Sequence, residues 1–591
     1  MSFNSYKEDE NVSTAKKSVT IKRLLSYLLV YKKEIAVVFV ILAYTVGQSL
    51  INPLFVEWAL DDYLVPKNFS GLVKLLLIAF AVNIVGVILV KIRMAIMAKV
   101  SNGAVKTIRE EVFTKLQTLD FTFFDSRPTG KILSRVMDDV NSLKEVLTQF
   151  VLTLIPEFTT VVAVLVIMLV KDYRLAFASM VGLPILIGGL FTIECLCRVR
   201  WQIRRKKASN LNAFIHEDIS GIRIVKTFAA EEETLKTFDE LNKDSTKSFL
   251  NAVRIGDGFN SVIEISQAIS LICMVYVGVV KIGIDSLSVG LLVAFITYTT
   301  LFWQPIANLG SFYTQIITSL AAAERVFEVI DTKSLIQDKE GAEELPDIEG
   351  NVEFKNVSFA YADDLDTIVL NDVSFKAKPG ETIALVGPTG AGKTTIISLI
   401  TRFYDSIKGQ VLIDGYDVKD VTVESLRNQL GIMTQDNYLF TGTIKENIRY
   451  GKLDATDEEI EAAAKVVNAH EFITKLEKGY DTELTERGGG LSAGQRQLIA
   501  FARTILSDPK ILILDEATSS IDTKNELMVQ AGIAAILKNR TSFVVAHRLS
   551  TIRSADRIFV IDGGKIAEEG NHDELLAKKG IYYNLHMAQM E

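Results

Sequence analysis

Six apolar stretches in the first half of the chain limit its fold more than any other feature. They run at about 34–58, 71–95, 147–170, 174–197, 257–282 and 288–312. Each is close to the ~20 residues that a helix needs to cross the hydrocarbon of a bilayer. Backbone in hydrocarbon must satisfy its own hydrogen bonds, so the stretches predict six membrane-spanning helices. At 591 residues the chain is long for one domain, and 49% hydrophobic content beside 23% charge fits an apolar half joined to a polar half. The net charge of -8 gives no basic character that would point to nucleic acid. Cys195, Cys197 and Cys273 lie in apolar stretches, and an odd count builds no disulfide framework. The opening residues, MSFNSYKEDENVSTAKKS, are polar and predict no cleavable signal peptide.

The connections set the orientation. Lys106, Arg109, Lys115, Arg127, Lys131 and Arg135 lie between spans two and three, and Arg198, Arg200, Arg204, Arg205, Lys206 and Lys207 between spans four and five. The other three connections are short. The positive-inside bias places both long loops and both termini in the cytoplasm. Apolar residues in the long loops keep a helical period, which predicts helices running on below the membrane. Residues 1–33 are expected to form a tail and a basic interfacial helix, 34–316 the membrane domain, 317–350 a linker and 351–591 a second domain.

Ionisable residues inside spans are costly and therefore candidates for function. Glu157, Glu264, Glu57 and Glu194 qualify. Glu157 and Glu264 either line a substrate cavity, or pair across helices or face water. Tyr298, Phe302 and Trp303 on span six either line the same cavity or pack helix against helix. Pro156 and Pro184 predict kinks.

The polar half carries GPTGAGKTT, from Gly387 to Thr395. It fits the phosphate-binding loop pattern, following the β-branched run 381–386 and preceding an apolar run that can begin a helix. Gly387, Pro388, Thr389, Gly390, Ala391 and Gly392 form the loop, in which glycines let backbone N–H groups turn toward phosphate oxygens. Lys393 is placed to reach phosphates, and Thr394 beside Thr395 to offer a hydroxyl to Mg²⁺. Downstream, Ile511-Leu-Ile-Leu-Asp515-Glu516 is a strand ending in two acids. Asp515 suits Mg²⁺ and Glu516 suits a general base that activates water. Among five histidines, only His547 follows a β-rich run; His216, His470, His572 and His586 read as solvated.

Between these motifs stands Leu491-Ser492-Ala493-Gly494-Gln495. Here the chain resembles the ATP-binding cassette (ABC) transporters, whose signature LSGGQ it matches with one change. The resemblance extends from about Thr20 to the end and is of the exporter type. It implies a fold in two parts: an all-α polytopic membrane domain with six transmembrane helices, then an α/β P-loop ABC nucleotide-binding domain. It also implies roles. Tyr361 resembles the aromatic that stacks on adenine, and Gln435 the glutamine that approaches Mg²⁺ and senses the membrane domain. Asp522 falls in the D-loop, and His547 matches the histidine that touches the γ-phosphate. Ser492, Ala493, Gly494 and Gln495 would serve the nucleotide of an opposing subunit. Phe124-Asp125 through Gly130 and Glu217 through Lys226 match the two loops that carry coupling helices. Two cassettes would sandwich two ATP molecules and drive alternating access, so one such chain is a half-transporter. Ala493, where glycine is usual, and the retained Glu516 resemble one subunit of a heterodimer, with a homodimer as the alternative. The implied activity is ATP-driven export of amphipathic drugs or lipids. The alternatives are a dedicated lipid or peptide flippase and an ATP-gated channel.

Overall fold

In a computed structural model, the described residues are 17–283, 287–361, 367–433, 438–515, 523–545 and 552–590. The chain divides into two compact units. One comprises Asn11–Thr114 with Leu133–Asp331; the other joins Lys115–Ile132 to Thr332–Glu591.

Among its described residues the first unit is built of helices joined by turns and contains segments long and apolar enough to cross a membrane six times, at Val19–Leu64, Phe69–Gln117, Thr129–Lys171, Tyr173–Ser220, Glu231–Gly283 and Val289–Asn308. The long helices Phe69–Gln117 and Leu183–Ser220 run far beyond a bilayer's thickness, as the helical period of the long loops predicts. The two prolines stand in different settings. Pro156 stands in the first turn of helix Ile155–Lys171, directly after a π-helical segment, and Pro184 in the first turn of Leu183–Ser220. Pro184 follows a turn, where a first helical turn has no use for the missing N–H, so it starts its helix; Pro156 lies within the continuous helical run Thr129–Lys171. Span four is thereby split, with a turn between Ala178 and Leu183.

The bundle is fastened by polar contacts between spans. Gln48 Nε2 donates to Asn83 Oδ1 at 2.9 Å, and Asn83 Nδ2 donates to Asn52 Oδ1 at 3.1 Å, tying span one to span two. In an apolar surround such amide pairs act as helix–helix glue. Beyond the spans, Arg325 holds Asp139 through two nitrogens and Arg23 Nη1 donates to Asp331 at 2.6 Å.

The second unit is α/β. An antiparallel sheet has the order β2-β1-β4-β5, from Leu370–Ala377, Val352–Phe359, Lys408–Ile413 and Tyr416–Asp417. The main sheet has the order β12-β11-β3-β10-β9-β6. Its strands are Thr382–Val386 (β3), Leu430–Met433 (β6), Ile511–Asp515 (β9), Thr541–Val545 (β10), Arg557–Asp562 (β11) and Lys565–Gly570 (β12). A short pair, β7 at Gly442–Thr443 and β8 at Glu483–Leu484, lies apart. Strands β3, β6, β9, β10 and β11 are mutually parallel. Every residue of β10 is buried, as expected when helices or sheet cover both faces. Two apolar cores flank this sheet: one contains Phe354, Phe375, Ile396 and Phe543, the other Leu498, Phe501, Leu514 and Val544.

Histidine placement departs from the sequence reading at one position. His586 is buried, with its ring 5.5 Å from that of His572, whose Nδ1 bonds the Tyr582 hydroxyl at 2.7 Å.

Candidate nucleotide site

Parallel pairing aligns the strand ends that carry the sequence motifs. Leu385 of β3 stands opposite Val545 of β10, Val545 opposite Asp515 of β9, and Leu514 opposite Met433 of β6. The loop Gly387–Thr395 leaves this row from β3. Asp515 ends β9 in the same row. Gln435, Glu516, Asp522 and His547 follow the ends of β6, β9 and β10 in sequence but lie outside the described residues. Ligands of open α/β sheets bind beyond the carboxyl ends of such strands.

The loop has the backbone its glycines permit. Gly387 has φ 153°, and a Cβ there would sit 2.1 Å from the Ile561 carbonyl oxygen. Gly392, with φ 106°, leads directly into the helix Lys393–Ile400. Both conformations disfavour any side chain. Lys393 is buried, and its Nζ donates to the carbonyls of Gly387 at 2.7 Å and Pro388 at 2.8 Å. Burial pushes its pKa down while the charge of Asp515 pulls it up. The ammonium is therefore held at the mouth of the loop by two backbone carbonyls. Thr394 is exposed in the first helical turn, whereas Thr395 is buried. The Thr395 hydroxyl lies 3.1 Å from that of Tyr361, which brings the aromatic residue to the loop.

The signature segment is a helix start. Ser492 caps Ala493–Leu506, its Oγ accepting from Gln495 N, while Gln495 Oε1 accepts from Ser492 N at 2.9 Å. This capping box satisfies two backbone donors and leaves the N–H groups of Ala493 and Gly494 pointing out of the helix. A helix end with free donors suits a phosphate oxygen. Ala493 takes ordinary helical backbone as the first residue.

The residues expected near a substrate cavity separate. Tyr298 and Trp303 are completely buried and Phe302 almost so. The Tyr298 hydroxyl donates to Leu50 O at 2.8 Å, and Trp303 Nε1 donates to Ser179 O at 3.3 Å. Within this chain all three pack helix against helix, the second of the two readings their sequence allows. Glu157 accepts from Asn308 Nδ2 at 2.7 Å, across spans three and six. Glu57 takes both its oxygens to Lys171 Nζ at 2.7 Å. Glu264 is exposed on the surface of span five. The sequence reading missed Tyr404 and Arg402, just beyond the P-loop helix. Arg402 is buried and donates to the carbonyls of Val421 and Gln337, both at 3.0 Å. An arginine inside the apolar run that follows the P-loop was the available signal.

A P-loop ATPase sheet in one unit and a six-span helical membrane unit in the same chain define an ATP-driven membrane transporter. The chain belongs to the ABC transporter family. Residues 35–306 match the model of the ABC transporter transmembrane region and 370–519 that of the ABC transporter domain. It is 40% identical to an uncharacterized ABC transporter ATP-binding protein of Bacillus subtilis, over 99% of this chain and 97% of that one. It is 35% identical to the ATP-dependent lipid A-core flippase of Syntrophus aciditrophicus, over 96% and 94%. A solved bacterial Atm1-family ABC exporter with ATP bound superposes with a TM-score of 0.79 at 30% identity, covering 95% of this chain and 99% of that one. The protein is a multi-pass membrane protein that binds ATP and couples its hydrolysis to export, and half-transporters of this type act as dimers.

Proposed function

We propose that the chain exports amphipathic small molecules, lipids or drugs, with ATP shared between two nucleotide-binding domains. The observation that carries this reading is the aligned row of parallel strand ends, from which the P-loop departs and at which Asp515 stands. Tyr361 stacks on adenine. The backbone of Gly387, Pro388, Thr389, Gly390, Ala391 and Gly392, with Lys393, Thr394 and Thr395, holds the phosphates. Thr394, Asp515 and Gln435 offer oxygen donors of the kind Mg²⁺ takes; when bound, the ion neutralises charge on the β- and γ-phosphates. The exposed Thr394 and the half-exposed Asp515 fit that role. Glu516 accepts the proton of a water whose oxygen attacks the γ-phosphorus, ADP leaves, and His547 steadies the transferred group. Ser492, Ala493, Gly494 and Gln495 close the opposing subunit's site, with Asp522 at the same interface. The membrane domain spans 34–316 and the nucleotide-binding domain 351–591, with a linker at 317–350. Both termini face the cytoplasm of a bacterial plasma membrane.

The partner is a second half-transporter. The expectation of a heterodimer rests on Ala493 and the retained Glu516, yet helical backbone at position 493 makes no demand for glycine. Self-pairing is therefore the first arrangement to test, by measuring ATPase from this polypeptide purified alone. The exporter reading predicts that the chain in lipid shows ATPase stimulated by members of an amphiphile panel, and that Glu516→Gln abolishes hydrolysis while retaining ATP binding. Ion currents gated by ATP, without such stimulation, would favour a channel.

A further inference from the structure

The P-loop helix Lys393–Ile400 does not end in a free surface. It runs into Thr401-Arg402-Phe403-Tyr404, and Arg402 pins this segment to the core. Two aromatic residues then project from it. The Phe403 ring lies 4.2 Å from that of Phe121, and the Tyr404 hydroxyl donates to the carboxylate of Asp125. Phe121 and Asp125 are the two ends of the short helix Phe121–Asp125, in the first long loop of the membrane half. The loop is fastened a third time by Asp120, which accepts from Ser334 Oγ at 2.9 Å and from Leu335 N. On its other side, the Tyr404 ring meets that of Tyr361 edge to face at 5.3 Å, and Phe359 at 5.6 Å. Burial, and then the bond to Asp125, push the Tyr404 phenol well above its ordinary pKa, so it remains the donor.

We propose that Tyr404 is a positioning residue that transmits ATP binding from the Tyr361 ring and the P-loop helix to the first loop through its hydrogen bond to Asp125. This inference rests on the exporter reading above. An aromatic ring touching Tyr361 shifts when adenine seats against that residue, because packed interiors move as units. The hydroxyl lies at the far end of the same rigid ring. It converts a sub-ångström shift into the making or straining of a charge-assisted bond, which is directional. The P-loop helix gives a second, parallel connection of about 12 Å, since helices of eight residues translate as rods. The loop therefore receives a signal about the occupied site from the nucleotide's own subunit.

The test is hydrogen–deuterium exchange on the full chain in nanodiscs, with and without MgATP plus vanadate, for wild type, Tyr404→Phe, Asp125→Asn and the double variant. Tyr404→Phe keeps the ring contact and removes only the hydroxyl. ATP affinity is expected to stay within about twofold of wild type, with the P-loop protected equally. The ATP concentration that drives half of the exchange change in the spans is expected to rise on the order of tenfold, the scale of one charge-assisted hydrogen bond. The double variant should match either single one, since the residues act through one bond. Spans that respond in Tyr404→Phe as in wild type would overturn the relay alone. Spans silent in wild type despite ATP binding would overturn the exporter reading and the relay with it.

Discussion

Ser492 and Gln495 bond each other's backbone reciprocally: Ser492 Oγ accepts from Gln495 N, and Gln495 Oε1 accepts from Ser492 N. The signature motif is therefore a helix cap as well as the proposed phosphate contact, and the two roles separate by mutation. Glutamate serves as well as glutamine in a capping box but adds negative charge at a helix start meant for phosphate. Gln495→Glu is expected to keep its thermal midpoint while losing most ATPase. Ser492→Ala should lose ATPase and also about 1 kcal/mol of stability. Thermal unfolding beside an ATPase assay distinguishes them, and equal destabilisation by both variants would contradict the cap.

Asp120 ties the first loop to Ser334 and Leu335. Burial raises its pKa, but the bonds from Leu335 N–H and the Ser334 hydroxyl outweigh this and hold the carboxyl below its ordinary 3.8. A depressed folded pKa contributes stability above the unfolded value and loses it as pH falls through the folded one. Asp120→Asn should thus be less stable than wild type at pH 7, with the gap closing below about pH 4. Thermal melts across pH 3 to 7 measure it, and a constant gap would mean that the charge is irrelevant.

Trp303 packs with no exposure and donates its indole N–H to Ser179 O. Trp303→Ala is expected to cost about 3–5 kcal/mol, as large-to-small core changes do. Trp303→Phe should recover much of that while leaving the Ser179 bond unmade. If Trp303→Ala instead changed which amphiphiles stimulate ATPase without lowering the melting temperature, the residue would belong to a cavity after all.

Gly387 has φ 153°, and a methyl group would meet the Ile561 carbonyl at 2.1 Å. Gly387→Ala must move β11 or the loop, so ATP affinity is expected to drop by more than about tenfold, the effect of a strained special backbone position. Gly390 offers a control: it also has positive φ, at 83°, but a Cβ there meets nothing within 4 Å. Gly390→Ala should lower ATP affinity less. Equal losses would indicate that backbone strain, rather than the Ile561 contact, dominates.

Much of the molecule was legible because its signals are local. Hydropathy over some twenty residues sufficed for the six spans, and the offsets among Gly387, Gly392 and Lys393 sufficed for the loop. Direction was not legible. Tyr298, Phe302 and Trp303 satisfy cavity lining and core packing equally on one helix, and only neighbours from other spans distinguish the two. Gln48, Asn52 and Asn83 passed unnoticed because three amides barely lower the hydropathy of spans one and two. Pro184 was read as a kink because sequence does not reveal the turn that precedes it.

The sequence by itself determined two things: a six-span membrane half followed by a P-loop ATPase, and the place of the P-loop between a strand and a helix. Both follow from covalent spacing along a regular helix or strand, so a single chain read in order suffices. The tertiary structure alone decided which strand ends share a row, that Lys393 rests on its own loop's carbonyls, and that Tyr404 meets Asp125. Those two residues are 279 positions apart. Nothing in a local period encodes such a pairing; it arises only when the loop, the P-loop helix and the sheet are packed together.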